Sequence, residues 1–414
     1  MQLRKHGVRF LPHLSRPRTA SSSSLCILKS HPFCSLPLAP LFLHPPAPRM
    51  AASKSTLAPI QQALTASLNS GPAQKREGAH YVPRQQSYWA AGANGSWQSI
   101  SPPGAPTISS LESVINTRAI RLISWNIDVL VPFAEERMCA ALQHLDQVVS
   151  ASPPDVAVVV FLQEMGQSDL QQIHESQWIK QRFNITDIDN DNWLSPLYGT
   201  TTLVDRRLRI QSVFRVPWIT KFDRDGLFVD IALSDAKSSG DEAKVLRLCN
   251  THLESLVADP PVRPLQLAAA AEYLNKVEVS CALLAGDLNA IQPFDRTLHR
   301  ENGLNDTYLI LGGKEDSDDG YTWGQQVPQW MKDRFGCSRM DKILYHGNVL
   351  PKKFERIGMG IKVAEDVRAE VEKEIDGGWV TDHYGVMGDF ELTGTLQVRT
   401  WSNDEVQGAR SKLS

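Results

Sequence analysis

The stretch Cys281-Ala-Leu-Leu-Ala-Gly-Asp-Leu-Asn289 constrains this chain more than any other. Cys281–Ala285 is short and wholly apolar, and Gly286 follows at once, which is the pattern of a strand covered on both faces. Asp287 and Asn289 then stand at the strand's end, where a scaffold presents reactive groups. A carboxylate there binds a hard cation or takes a proton from water. An amide two residues on holds a phosphate oxygen or orients that water. Taken alone, the stretch reads more readily as a strand closing in an Asx turn. Four other strand ends with the same punctuation shift that balance.

Those ends sit in an alternating α/β pattern. Ala119–Asn126 is a strand, and Glu135–Val149 is a helix with apolar Met138, Leu142, Leu145 and Val149. Asp155–Glu164 is the strongest strand, apolar until Gln163 and Glu164, and a helix from Ser168 to about Phe183 follows. A run of short strands (Tyr198–Val204, Ile210–Val216, Leu227–Leu233, Val245–Leu253) leads to a helix over Pro264–Val277. Lys342–Tyr345 and His383–Leu392 supply late strands. This order predicts an α/β fold with two sheets packed face to face and helices outside.

The flanks read differently. Residues 1–106 carry eleven Lys or Arg and one acid, Glu77, so residues 107–414 hold a net charge of −13 out of a total of −3. An acidic body excludes a protein that coats nucleic acid by counterion release, but permits an enzyme that grips a few phosphates. Residues 1–50 are expected to be a targeting segment or a mis-assigned start. They are basic and rich in Ser, while six prolines between Pro32 and Pro48 forbid an amphipathic helix. Residues 51–106 read as a largely disordered extension, with a short helix over Leu57–Leu68 and with Tyr88, Trp89 and Trp97 packing back on the domain. The catalytic domain is expected over 107–395 and a tail over 396–414. The six cysteines show no metal-type spacing and read as thiols in a reducing compartment. No segment approaches the roughly 20 apolar residues of a membrane span.

Five strand ends carry candidate chemistry: Ser124-Trp-Asn-Ile-Asp128, Leu162-Gln-Glu164, Asn250-Thr-His-Leu-Glu-Ser255, Gly286-Asp-Leu-Asn289 and Thr381-Asp-His383. Each has an ordinary reading. Glu164 alone is equally a cap for the next helix, His252 a satisfied half-buried histidine, Asp382-His383 a turn pair, and Trp323 a core residue. Their sum is what a metal-assisted phosphodiester hydrolase needs: oxygen ligands for a cation, an acid to activate water, and donors for a pentavalent phosphate.

In this order and over about residues 117–395, the motifs W-N, L-Q-E, T-H-L, G-D-x-N and D-H resemble the endonuclease/exonuclease/phosphatase superfamily. His252-Leu-Glu-Ser255, Tyr321-Thr-Trp323 and Arg339-Met-Asp341 are similar to its tyrosyl-DNA phosphodiesterase branch. The resemblance implies a four-layered α/β sandwich of two mixed sheets. It implies Mg²⁺ (Mn²⁺ as an alternative) held by Glu164 with Asn126 and Asp287, the last also activating water. It implies catalytic Asn126, His252, Asn289 and His383 around the phosphorane, and Asp382 fixing the His383 tautomer. Ser255, Arg224 and Trp323 are implied substrate contacts, with Arg224 stacked on Trp323. Arg263 and Gln266 resemble a structural Arg-x-x-Gln, and Asp341 is equally scaffold or participant. Arg206, Arg207, Arg209 and Lys221 are candidates for DNA backbone contact or, slightly preferred, a solvated strand edge. The implied substrate is a DNA 5′ end bearing a tyrosyl adduct, cleaved by a monomer in the nucleus, or in mitochondria if residues 1–50 are a transit peptide. Alternatives are RNA deadenylation, abasic DNA or a small phosphoester on the same fold and, less favoured, a non-catalytic binding module. The sequence departs from the relatives in lacking a ubiquitin-binding helical domain in 51–106 and in the Ala290-Ile-Gln-Pro293 continuation. Residues 347–380 read as an insertion able to line the substrate groove.

Overall fold

The computed structural model describes residues 53–71, 80–104, 115–235 and 244–401. Residues 1–50, and with them the expectation of a targeting segment or mis-assigned start, lie outside the described residues.

The chain enters through helix α1 (Ser53–Asn69) and strands β1 (Arg84–Gln85), β2 (Tyr88–Ala91) and β3 (Trp97–Ile100). Next come β4 (Ala119–Asn126), α2 (Ala134–Ser150), β5 (Ala157–Met165), α3 (Gln167–Glu175), α4 (Gln177–Arg182) and β6 (Phe183–Ile185). The meander is β7 (Gly199–Asp205), β8 (Ile210–Pro217), β9 (Asp225–Asp235) and β10 (Val245–Thr251). It leads to α5 (Arg263–Leu274), β11 (Val279–Asp287), α6 (Leu298–Glu301), β12 (Asn305–Asp306), α7 (Thr307–Ile310) and α8 (Gln329–Phe335). The last elements are β13 (Asp341–Gly347), β14 (Val349–Ile357), α9 (Glu365–Val371), β15 (Gly385–Leu392) and β16 (Leu396–Val398).

These strands form two mixed eight-stranded sheets among the described residues. One runs β1-β8-β9-β10-β11-β13-β12 with β16 on β9, and the other runs β14-β15-β4-β5-β7-β6-β2-β3. Each has one parallel pair inside it, β10–β11 and β4–β5. Parallel neighbours need a crossover, and α5 and α2 supply it. The two βαβ units aim the carboxyl ends of their strands at one end of the sandwich, where open α/β sheets bind ligands. Asn126, Glu164, His252 and Asp287 stand at or just beyond those four ends. Asp341 starts β13, antiparallel to β11, and His383 precedes β15, antiparallel to β4, so both arrive at the same end.

The layers follow from burial. Leu122, Val159, Phe161, Val229, Leu248, Leu283 and Phe390 meet between the sheets. Met138, Leu142 and Leu145 of α2 pack on Val158, Val160 and Leu162, and Leu267, Ala270 and Leu274 of α5 pack on Ala282 and Leu284. This is the four-layered sandwich, with α2 and α5 on its two outer faces. Close packing resists slip between the sheets, and polar contacts that cross between them, Gln163–Asn250 and Arg215–Thr200 among them, fix their alignment further. Gln163 Nε2 donates to Asn250 Oδ1 (2.8 Å) and to Ser124 Oγ (3.0 Å), and Asn250 Nδ2 donates to Thr201 O (3.0 Å).

Four boundaries differ from the sequence reading. Residues 84–100 are not disordered: β1 pairs with β8, and the β2–β3 hairpin pairs with β6, burying Tyr88 fully. Strands of two to four residues are too short for periodicity to mark. The tail begins later than 396, because β16 pairs with β9 and Trp401 is buried. Residues 347–380 are no mere insertion: β14 pairs along its length with β15 as the edge of a sheet. The helix expected over 168–183 breaks at Ser176, and Gly166 rather than Ser168 caps its start, its N–H donating to Asp169 Oδ2 (2.7 Å).

Candidate active site

The site begins with a glycine that no other residue replaces. Gly286 has φ 150°, and a Cβ there would lie 1.7 Å from the carbonyl oxygen of Thr251. That close approach of β10 and β11 carries Asp287 beside His252. Three further residues leave their strands through left-handed turns: Asp128 (φ 58°), Glu164 (φ 52°) and Asn289 (φ 47°). Such backbones are sparsely populated and persist where their surroundings hold them, typically at functional sites. Arg137 holds the first, donating from one buried guanidinium to the carbonyls of Ile127, Asp128, Val131, Pro132 and Val380. At Glu164 the β5–β7 register shifts between Leu162 and Met165, which frees the side chain to turn into the cleft.

Asp287 is the hub. Its Oδ1 accepts from the Asn289 N–H (2.8 Å) and its Oδ2 from Asn126 Nδ2 (3.0 Å). The same Oδ2 lies 3.3 Å from His252 Nε2 and 3.6 Å from His383 Nε2. Burial pushes the Asp287 carboxyl up, but His383 and His252 outweigh it and hold it well below the usual carboxylate range.

The two histidines differ in partners. His252 Nδ1 faces Arg224 Nη1 at 2.9 Å, and a guanidinium only donates, so Nδ1 accepts and the proton sits on Nε2, toward Asp287. Burial and Arg224 both lower the His252 pKa, and the ring is neutral. Asn289 Nδ2 lies 2.9 Å from Nε2 and donates to Leu253 O (3.1 Å). His383 Nδ1 donates to Asp341 Oδ2 (2.8 Å). Burial lowers the His383 pKa, yet Asp341, Asp287 and Asp382 together carry it well above the ordinary value, and the ring is cationic at neutral pH. Trp125 Nε1 donates to His383 O (3.1 Å) and Thr381 Oγ1 to Asn126 O (2.9 Å), which ties the β4 end to this turn.

The loop after His252 is fixed as firmly. Arg263 pairs with Asp295 and donates to the carbonyls of Glu254 and Leu256, while Gln266 Oε1 accepts from Glu254 N–H (2.8 Å). Ser255 is thereby held where its Oγ accepts from Arg224 Nη2 (2.8 Å). An acid, two histidines in different charge states and two amides around one point can activate water and receive a developing phosphorane.

A sequence profile of the Endonuclease/Exonuclease/phosphatase family matches residues 123–383. The chain belongs to that family. No curated protein matches its sequence significantly. Among solved structures it is similar to D. rerio TDP2 complexed with single-strand DNA product (20% identity, 66% of this chain and 99% of that one, TM-score 0.49). It is also similar to truncated C. elegans TDP2 (19%, 66% and 98%, 0.47) and to the human Nocturnin catalytic domain with bound sulfate (16%, 68% and 97%, 0.45).

Endonuclease/exonuclease/phosphatase members are phosphoesterases and nucleases, generally dependent on a divalent metal. The residues present fit one. The Glu164 carboxylate makes no hydrogen bond to any described residue and lies 3.8 Å from His252 Nδ1. Nearby Asp128 is pushed up to about 8 by burial and by Asp382, with Glu164 adding to it. Three acids, Glu164, Asp128 and Asp382, thus share this side of the site, and carboxylate oxygens suit a hard cation. Asp287, Asp341 and His383 also bring ligand atoms close together, but their contacts are those of an ion-paired chain. Asp287 accepts one hydrogen bond at each oxygen, which leaves lone pairs for a cation or for the proton of a water.

Asn126, His252, Asp287, Asn289 and His383 thus converge, with Glu164 and Ser255 on the rim. Two implied contacts need correction. The residue that orients His383 is Asp341, because Asp382 Oδ1 lies 3.8 Å from Nε2 and Asp382 Oδ2 accepts from Trp323 Nε1 (2.7 Å). Arg224 does not stack on Trp323. It lies over Tyr198 and Phe222, 5.5 and 5.7 Å from their centroids. Arg206 and Arg207 serve the fold, bonding the carbonyls of Lys180, Gln181, Pro154 and Val156. They follow the far end of β7, roughly 20 Å along the strand from Gly199. Arg209 lies over Trp401. Sequence reasoning gave no role to Arg137, Gln163 or Asn250, although Gln163 and Asn250, each closing an apolar strand, carried a signal.

Proposed function

We propose that this chain is a Mg²⁺-dependent phosphodiesterase that frees DNA 5′ ends from tyrosyl adducts and leaves a 5′ phosphate. Supporting this reading above all is the environment on the Nδ1 edge of His252. Asp287 touches the Nε2 edge, and Arg224 with Glu164 the other, so the ring separates two sides. A water activated at Asp287 attacks phosphorus in line, and the leaving oxygen departs on the far side. There Arg224, which packs over the Tyr198 and Phe222 rings, sets a cationic group toward the departing oxygen.

The chain's own residues then act as follows. Asp287 takes the proton of water as the new oxygen–phosphorus bond forms. The His383 imidazolium, the His252 Nε2–H and the amides of Asn126 and Asn289 meet the growing negative charge. The bond to the phenol oxygen breaks, and the phenolate, with a pKa near 10, leaves without a general acid and takes a proton from solvent. A divalent cation held by Glu164 and its neighbouring oxygens supplies Lewis-acid stabilisation of phosphoryl charge. The acting form is a monomer, and its place the nucleus.

The test is cleavage of a 5′-phosphotyrosyl oligonucleotide with Mg²⁺ and with EDTA, beside Glu164→Ala. Mg²⁺-dependent release of a 5′-phosphate end, lost in the variant, supports the reading. Cleavage of only RNA, abasic duplex or a small phosphodiester retains the family and removes the tyrosyl assignment. Imaging of the tagged full chain checks location, and mitochondrial signal alone overturns the nuclear part.

A further inference from the structure

The leaving side of the site has a wall that no family motif supplies. Helix α1 docks there through Ile60 and Leu64, which meet Val129, Leu197 and Tyr198. Val129 follows Asp128, and Tyr198 is one of the two rings against Arg224. At its other end, Ser70 O accepts from Lys221 Nζ (3.0 Å). Ile60 to Ser70 spans roughly 15 Å of helix. The segment therefore runs along the leaving side from Tyr198 to the loop that carries Ser255.

Between the end of α1 and that loop lies a cavity of about 290 Å³, lined by Leu68, Ser70, Lys221, Phe222, Ser255 and Val257 among others. That is near the lower end of ligand clefts, roughly 300–1,000 Å³. It continues the site rather than lying apart from it. Ser255 bonds Arg224, and Phe222 is the second ring against Arg224. Its lip is apolar and open: Leu68 is 51% exposed, Leu256 52% and Val257 69%. Three exposed aliphatic side chains at one mouth mark a contact surface.

We propose that α1 and the loop after Ser255 form a subsite for the apolar peptide attached to the leaving phenol. The inference rests on the tyrosyl reading above. A phenol whose oxygen departs toward Arg224 and Ser255 stands at the edge of this cavity, beside Phe222, and its own chain meets the apolar mouth. The occupant is a peptide of apolar residues flanking the tyrosine, and a free amino acid leaves the cavity empty.

The full-length protein is tested on two oligonucleotides with the same leaving phenol, one 5′-linked through tyrosine within a short leucine-rich peptide, the other 5′-linked to free tyrosine. The readout is the ratio of their kcat/KM values. In the wild type the peptide substrate is favoured, and Leu68→Asp lowers the ratio about tenfold, as one lost apolar contact does. Ile60→Asp, which unseats α1 without touching the cavity, lowers it similarly. Leu350→Asp, at an exposed position on β14, leaves it unchanged. A wild-type ratio near one, or equal losses on both substrates in Leu68→Asp and Ile60→Asp, overturns the subsite while the tyrosyl reading stands. Cleavage of neither tyrosyl substrate, while RNA or an abasic duplex is cut, overturns that reading instead.

Discussion

His252 and His383 touch the same oxygen of Asp287, yet one is neutral and the other cationic. His252 comes off β10 and meets a guanidinium and an amide. His383 comes in before β15 and meets three carboxylates. Each follows a strand or precedes one with similar local sequence. The difference is written by partners from distant parts of the chain: Arg224 for one, Asp341 for the other. One residue type thus supplies both a neutral donor and a fixed positive charge within a few ångströms, which is how one fold sets opposite protonation states side by side.

Removing the shared partner breaks the comparison most severely. Asp287→Asn deletes the proton acceptor and the counter-charge of both rings, and kcat falls roughly 10³-fold, measured at saturating Mg²⁺. Asp341→Asn acts on one ring only. With one of three raising carboxylates gone, the His383 pKa falls toward the ordinary value near 6.5. The imidazolium then deprotonates at lower pH, so the alkaline limb of the rate profile moves to lower pH. At pH 8 the loss is roughly 100-fold, and it shrinks as the pH is lowered. A pH profile parallel to wild type would show that Asp341 is only scaffold.

Arg224→Gln sharpens the other half. Losing a nearby positive charge raises the His252 pKa, and losing an obligate donor frees its tautomer. The expected cost is roughly 10–100-fold in kcat, with His252 titrating at higher pH by NMR. An unmoved titration would mean that burial alone holds the ring neutral. Asp382→Asn is the smallest case. Since Asp382 bonds Trp323 and stands off from His383, kcat changes less than about threefold, and the alkaline limb moves to lower pH by less than in Asp341→Asn. A loss matching Asp341→Asn would restore the orienting role to Asp382.

Much of this was legible in the sequence. Wholly apolar runs such as Cys281–Ala285 announce strands buried on both faces, and the parallel pairs they form place Asp287 and Glu164 at one end. Gly286 was readable as punctuation, though not as the one residue that clears the Thr251 carbonyl. What stayed hidden depends on contacts distant in the chain. Nothing local in Thr381-Asp382-His383 says that its orienting acid is Asp341. Nor does the spacing of Arg224 reveal that it serves His252. The short strands of 84–100 were lost because a two-residue pairing has no period.

The amide pair Gln163–Asn250 has a consequence beyond holding layers together. Half of the candidate site's groups ride on one sheet and half on the other, so the site's geometry exists in only one alignment of the two sheets. The pair acts as one dowel among several, beside Asn126–Asp287 and Arg215–Thr200. Cut it, with Gln163→Leu, and the fold survives with its strands intact while the two halves of the site drift out of coincidence. The cleavage assay proposed above is expected to register such a misalignment, which spectroscopic probes of helix and strand content would not.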